Sequence, residues 1–180
     1  MAYSMLEKLD AYQSHNPPVH KDLVLVELGK KAIHRMLFID QLITKSTDEI
    51  LASDNGRRLK ELLTEFKNLC AKNKIVPMIM FIPSAAHIYA EYSTQQSGRN
   101  WLKIRAEQIA AKANVEQAIS ALARTLDIEL INLSVVFESA AKNGKMLYYP
   151  LTTHWNSEGM EVAAAFVADA LKSRITTPAH

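Results

Sequence analysis

The side chains best suited to chemistry stand near the carboxy terminus, in the run Tyr148-Tyr149-Pro150-Leu151-Thr152-Thr153-His154-Trp155-Asn156-Ser157-Glu158-Gly159-Met160. Imidazole takes up and returns a proton near neutral pH, so His154 is a candidate general base. Trp155 beside it offers a flat apolar surface to a ligand. The alternative for the pair is structural: Trp155 fills a groove and His154 holds a backbone carbonyl. Ser84 and His87 make a second candidate, a compact serine–histidine pair on one face of a helical turn. Against it, Ser84 is well placed to cap a helix that begins at Ala85. Lys31 and His34 could contribute to a site or stand solvated on a helix. His34, His87 and His154 share no ligand spacing and have no neighbouring carboxylate, so neither a metal site nor a cofactor is expected.

These residues need elements to position them. Asn156 or Ser157 can cap a helix in which Glu158 falls in the first turn, where negative charge suits the helix dipole. Val162, Ala163, Phe166, Val167, Ala170 and Leu171 then recur at helical spacing and give that helix one face to bury. His154 and Trp155 therefore sit on a loop that enters a docked helix. Three short apolar runs, Asp22–Leu28, Ile75–Ile82 and Ile128–Leu133, read as strands covered on both faces. Gly29, Pro83-Ser84 and the residues after Leu133 mark their ends.

Between the strands the helical period dominates. A short helix is expected over Ser4–Gln13, and a loosely patterned one from Lys30 to about Thr44. The clearest follows a cap at Asp54 or Asn55 and carries Leu59, Leu62, Leu63, Phe66, Leu69 and Cys70 on one stripe. Arg99 to Thr125 is helical with a break near Asn114, where Asn114 and Gln117 resemble a capping box. Ser134 to Lys142 is closed by Asn143-Gly144. Lys45–Asn55 reads as a loop with a helical turn at Ile50-Leu51, and Ser93–Gly98 as a polar break. Strands alternating with helices form a parallel sheet between helical layers, an α/β fold whose sites lie beyond the carboxyl ends of the strands.

Composition bounds the rest. The 180 residues fit a single domain over 1–175 with a short tail at 176–180. A net charge of +2 from nearly balanced acids and bases, without a basic block, gives nucleic acid no electrostatic footprint. Cys70 is the only cysteine, so no intramolecular disulfide forms, and its place on a helical stripe predicts burial. No apolar run has the length of a membrane span. The first residues lack the basic start and apolar core of a signal peptide, so the chain as written is expected to stay in the cytoplasm.

The run Leu147-Tyr148-Tyr149-Pro150-x-x-Thr153-His154-Trp155-Asn156-x-x-Gly159 resembles the carboxy-terminal motif of SGNH (GDSL-type) ester hydrolases. Ile75–Tyr89 and Asp127–Lys142 are similar to two of that family's strands with their following segments, so the resemblance extends over residues 3–173. It implies a flavodoxin-like three-layer sandwich around a parallel sheet. It further implies ester-bond hydrolysis by a serine nucleophile with His154 as general base, and an ester or acylated-sugar ligand near Trp155. The family's Gly-Asp-Ser strand and oxyanion glycine have no counterpart here, so the first strands are missing. The oxyanion asparagine corresponds to Lys31, and the triad acid to Thr152 or Leu151.

The resemblance therefore implies negligible catalysis by this chain alone, because each lost group removes orders of magnitude in rate. The other reading is a non-catalytic binding domain in which Trp155 and Tyr148 stack on a sugar or acyl ligand. Without its neighbour, the strand Asp22–Leu28 is expected to present an open apolar edge to a second copy or an upstream polypeptide.

Overall fold

The computed structural model describes residues 23–29, 32–38, 43–96, 101–152 and 154–175. The helix expected over Ser4–Gln13, Lys31, Thr153 and the tail lie outside the described residues. Among the described residues two sheets are present rather than one.

The first sheet is antiparallel. Strand β1 (Leu23–Leu28) runs between β2 (Ala32–Leu37) and β4 (Ser93–Gln96). Its register with β2 is unbroken from Leu23↔Leu37 to Leu28↔Ala32, and its pairing with β4 shifts between Leu25 and Val26. Val24, Val26 and Leu28 are buried while Glu27 is exposed, so one face of β1 carries the core. This corrects four expectations. The run Asp22–Leu28 is no member of a parallel sheet, and the open edge foreseen there is closed, because β1 has a neighbour on both sides. The segment from Lys30 is a strand over Ala32–Leu37 rather than a helix. Met36 and Phe38, two residues apart, both face the core, so period two prevails over a loose helical pattern. The polar stretch from Ser93 pairs as β4 because the edge of β1 supplies hydrogen-bond partners that side-chain polarity does not reveal.

The second sheet is the parallel one expected. Strand β3 (Met78–Phe81) pairs with β5 (Glu129–Asn132) in the register Met78↔Glu129 to Phe81↔Asn132. Around the sheets lie α1 (Thr47–Ala52), α2 (Asp54–Lys72), α3 (Ala85–Tyr89), α4 (Trp101–Ala111), α5 (Asn114–Thr125), α6 (Ser134–Lys142) and α7 (Ser157–Ile175). The chain is thus α/β, with a small parallel sheet. No described helix is long and apolar enough to cross a membrane.

The caps explain several boundaries. Ser46 and Glu49 form a reciprocal capping box that turns the expected loop into α1. Ser53, one residue before the expected positions, caps α2 by accepting from Gly56 N at 3.1 Å. Asn114 is no cap: its amide donates to Lys45 O at 2.9 Å, and Gln117 Oε1 accepts from Thr47 Oγ1 at 3.1 Å. Both residues bind α5 to the start of α1 instead. Asn143 and Gly144 close α6 as read, with Gly144 at φ +83°.

One core cluster joins Val24, Val26 and Met36 of the antiparallel sheet to Ile88, Phe137 and Tyr148. Helix α2 stays largely outside it. Cys70 is buried as expected, but Leu62 and Leu69 of the same stripe are 54% and 61% exposed.

Candidate active site

The loop that carries His154 is closed on itself by short-range bonds. Tyr148 and Trp155 form an antiparallel bridge, and Tyr149 N donates to His154 O at 3.0 Å. Asn156 then makes the junction with α7. Its backbone N donates to Leu147 O at 2.8 Å and its amide to Met146 O at 2.7 Å, while its Oδ1 accepts from Gly159 N at 3.0 Å. The last of these is the N-cap bond, so Asn156 fills the capping role that the sequence left between it and Ser157. Gly159 belongs to the same junction: a Cβ there would lie 2.3 Å from Leu147 O and 3.1 Å from Trp155 Cβ. Lys145 and Glu158 pair at 3.1 Å across its base.

Tyr148 anchors this loop to the parallel sheet. The side chain is 1% exposed, stacked edge-on to Tyr89 and Phe137, and its hydroxyl donates to Pro83 O just beyond β3. Tyr89 adds a second fastening, accepting from Leu147 N at 2.8 Å and donating to Lys145 O at 3.1 Å. Burial pushes both phenol pKa values up, so both stay protonated donors across the working pH range. The loop is thereby pinned at the carboxyl end of a parallel strand, where α/β folds place their sites.

His154 is exposed on this anchored loop. Its backbone N donates to Thr152 Oγ1 at 3.2 Å, and its imidazole has no hydrogen-bond or ion-pair partner among the described residues. The ring is thus open to a reacting group, and no described acid orients it. Trp155 is half-buried with its ring 6.0 Å from that of Phe137, tilted by 47°. Tyr148, offered as a stacking surface by the binding-domain reading, is core and faces no ligand.

The Ser84–His87 pair takes its structural form. Ser84 Oγ accepts from His87 N at 3.1 Å and caps α3, so the hydroxyl meets the backbone and not the imidazole. The His87 ring is buried, with Nε2 3.5 Å from Glu138 Oε1 and 3.8 Å from Glu116 Oε2. Lys112 bonds Glu138 at 3.0 Å and Glu91 at 2.7 Å, and Asn132 Nδ2 donates to Glu116 Oε1 at 2.7 Å. Burial pulls the His87 pKa down against the pull of the two glutamates. No sequence spacing announces this network, because its members come from α3, α4–α5, β5 and α6. His34 lies half-buried on β2 rather than on a helix, and burial lowers its pKa. The three histidines therefore occupy three separate settings.

Residues 37–180 match the family model described as "SGNH hydrolase-like domain, acetyltransferase AlgX". No curated protein matches the chain. Among solved structures it is similar to the "O-Acetyltransferase Domain of Pseudomonas putida AlgJ", at 16% identity and a TM-score of 0.51 over 88% of this chain. At that identity the likeness is one of fold. The chain spans about half the length of that structure's chain, since 50% of the latter is covered.

Proposed function

The chain belongs to the SGNH hydrolase-like family of the acetyltransferase AlgX, and on that footing we propose that it is the base-bearing part of an acyl-transfer site. The observation that carries this is the exposed His154 on a loop that Tyr148 fastens to the carboxyl end of β3. In this reading a serine hydroxyl at the same rim attacks the carbonyl carbon of an acyl ester, and His154 takes its proton. The ester's alcohol leaves with that proton, giving an acyl-serine. A second hydroxyl then attacks the acyl-serine, passing its proton through His154 back to the serine. If the second hydroxyl belongs to water the reaction is hydrolysis; if it belongs to a sugar or another alcohol the acyl group is transferred. The relatives' names favour transfer of acetyl to oxygen.

The serine comes from polypeptide outside the described residues. No described hydroxyl bonds the imidazole. Trp155 borders the base on its core side and would limit where the acyl group lies. The test joins the chain to a serine-bearing Gly-Asp-Ser segment of the family and supplies 4-nitrophenyl acetate with a carbohydrate acceptor. Acetylated carbohydrate beside nitrophenolate identifies transfer, and free acetate alone identifies hydrolysis. Absence of both while the joined protein is folded would sink the catalytic reading.

A second reading, a non-catalytic binding domain of the same fold, is favoured by one observation. Thr152 stands where the family's acid is expected, and its hydroxyl accepts from the backbone of His154 rather than from the ring. An acetylated oligosaccharide that quenches Trp155 fluorescence saturably, without turnover by the joined protein, would favour it.

A further inference from the structure

His87 is 4% exposed, yet charged groups surround its ring. Nε2 lies 3.5 Å from Glu138 Oε1 and 3.8 Å from Glu116 Oε2. Both distances exceed the roughly 2.7–3.2 Å of an N–H···O hydrogen bond. Each acid is engaged elsewhere: Glu138 Oε1 accepts from Lys112 Nζ at 3.0 Å, and Glu116 Oε1 accepts from Asn132 Nδ2 at 2.7 Å. Lys112, in the turn between α4 and α5, also bonds Glu91. Glu91 and Tyr92 neighbour it from the 3₁₀ turn Ala90–Tyr92 that follows α3. Arg105 of α4 donates to the carbonyls of Ala90 and Glu91. From β3 the ring meets the uncharged Phe81, with centroids 6.4 Å apart.

A neutral imidazole suits this setting. An imidazolium there would be cut off from water and without a hydrogen-bonded acid until α3 or the acids moved, and a charge buried in that state is costly. Burial lowers the pKa of the ring, which runs in the same direction. The helices that carry the network are also those that fasten the 147–156 loop. Helix α3 carries Tyr89, two residues after His87, whose hydroxyl accepts from Leu147 N at 2.8 Å and donates to Lys145 O at 3.1 Å. Helix α6 packs against α3 and carries Phe137 next to Glu138. The Phe137 ring lies 6.0 Å from those of Tyr148 and Trp155.

We propose that protonation of His87 is a switch on the fastening of the loop that bears His154. With a neutral ring, α3 and α6 hold the loop beyond the end of β3. With a charged ring, Glu116 and Glu138 are drawn to Nε2, α3 shifts against α6, and the loop loosens. The movement needed is small, since each acid stands just beyond bonding distance. As regulation of acyl transfer this rests on the role proposed for His154; as a motion of the loop it does not, and its test reads the loop without turnover.

Hydrogen exchange of the 180-residue chain, followed by NMR from about pH 7.5 down to about pH 5, tests this. Protection factors, corrected for the intrinsic pH dependence of exchange, are read at Leu147 N, which donates to Tyr89, and at Asn156 N, which donates to Leu147 O. The reference is Ile128 N, bonded to Ala123 O at the opposite end of β5. Acidification should lower protection at Leu147 N and Asn156 N several-fold relative to Ile128 N, with the midpoint at which the His87 ring titrates. His87→Gln should remove the change. Glu116→Gln keeps an acceptor for Asn132 but takes away a charge that favours the imidazolium. It should move the midpoint to lower pH, and it serves even where His87→Gln fails to fold. Equal loss at all three amides would overturn the inference, since the chain would then be opening as a whole. Constant protection across the range, a change that persists in His87→Gln, or a midpoint unmoved by Glu116→Gln would overturn it as well.

Discussion

Gly159 sets how closely α7 approaches the loop that bears His154, because a methyl group there would collide with Leu147 O. Gly159→Ala is expected to lower stability by about 1–3 kcal/mol, the usual cost of forcing extra volume into a tight contact. Urea unfolding measures it, and an unchanged midpoint would show that the junction yields easily. His87 makes the second residue-scale prediction. Its folded-state pKa is lowered by burial, with Glu116 and Glu138 opposing, the Lys112 charge assisting and a backbone hydrogen bond at Lys112 opposing. The unfolded chain then binds more protons than the folded one just below the ordinary histidine pKa of about 6.5. The stability held above that pH should fall as pH drops through the window beneath it. His34, shifted the same way by burial, adds to the slope. Urea midpoints at about pH 7.5 and pH 5.5 check the sign, and His87→Asn should flatten the difference. A midpoint that rises on acidification would contradict the assignment.

Among the elements, the fastening of the 147–156 loop to β3 matters most for the site. Tyr148→Phe keeps the ring among Tyr89 and Phe137 but leaves Pro83 O without its donor. A buried carbonyl so deprived costs about 1–3 kcal/mol. Calorimetry should show that loss, and hydrogen exchange at Tyr149 N should quicken as the loop detaches from the rim. Normal exchange there would mean that the Tyr89 bonds suffice. The same elements show what a sequence conveys. The cap at Asn156, the helix after it and the strands at Ile75 and Ile128 were legible because local spacing and capping chemistry determine them. Strand β2 was not, since Ile33, Met36 and Leu37 suit a helix as well as a strand and pairing with β1 decides between them. The His87 network was invisible for a similar reason: four chain segments meet only in three dimensions.

At the scale of the whole molecule, periodicity announced the apolar stripe of α2 but not that Leu62 and Leu69 would stand exposed. Exposure depends on what packs opposite, which the period of a single helix does not specify. The open edge foreseen at Asp22–Leu28 is closed, because β1 pairs on both sides. His154 is held on the loop that Tyr148 fastens beyond the carboxyl end of β3. The most direct test is the rate of 4-nitrophenyl acetate cleavage by the chain joined to a Gly-Asp-Ser segment, with and without His154→Ala. The joined protein should turn over, the substitution should cost about 10²–10⁴-fold in rate, and the 180-residue chain alone should react no faster than an equal concentration of free imidazole. An active joined protein indifferent to His154→Ala would contradict the assignment of the base.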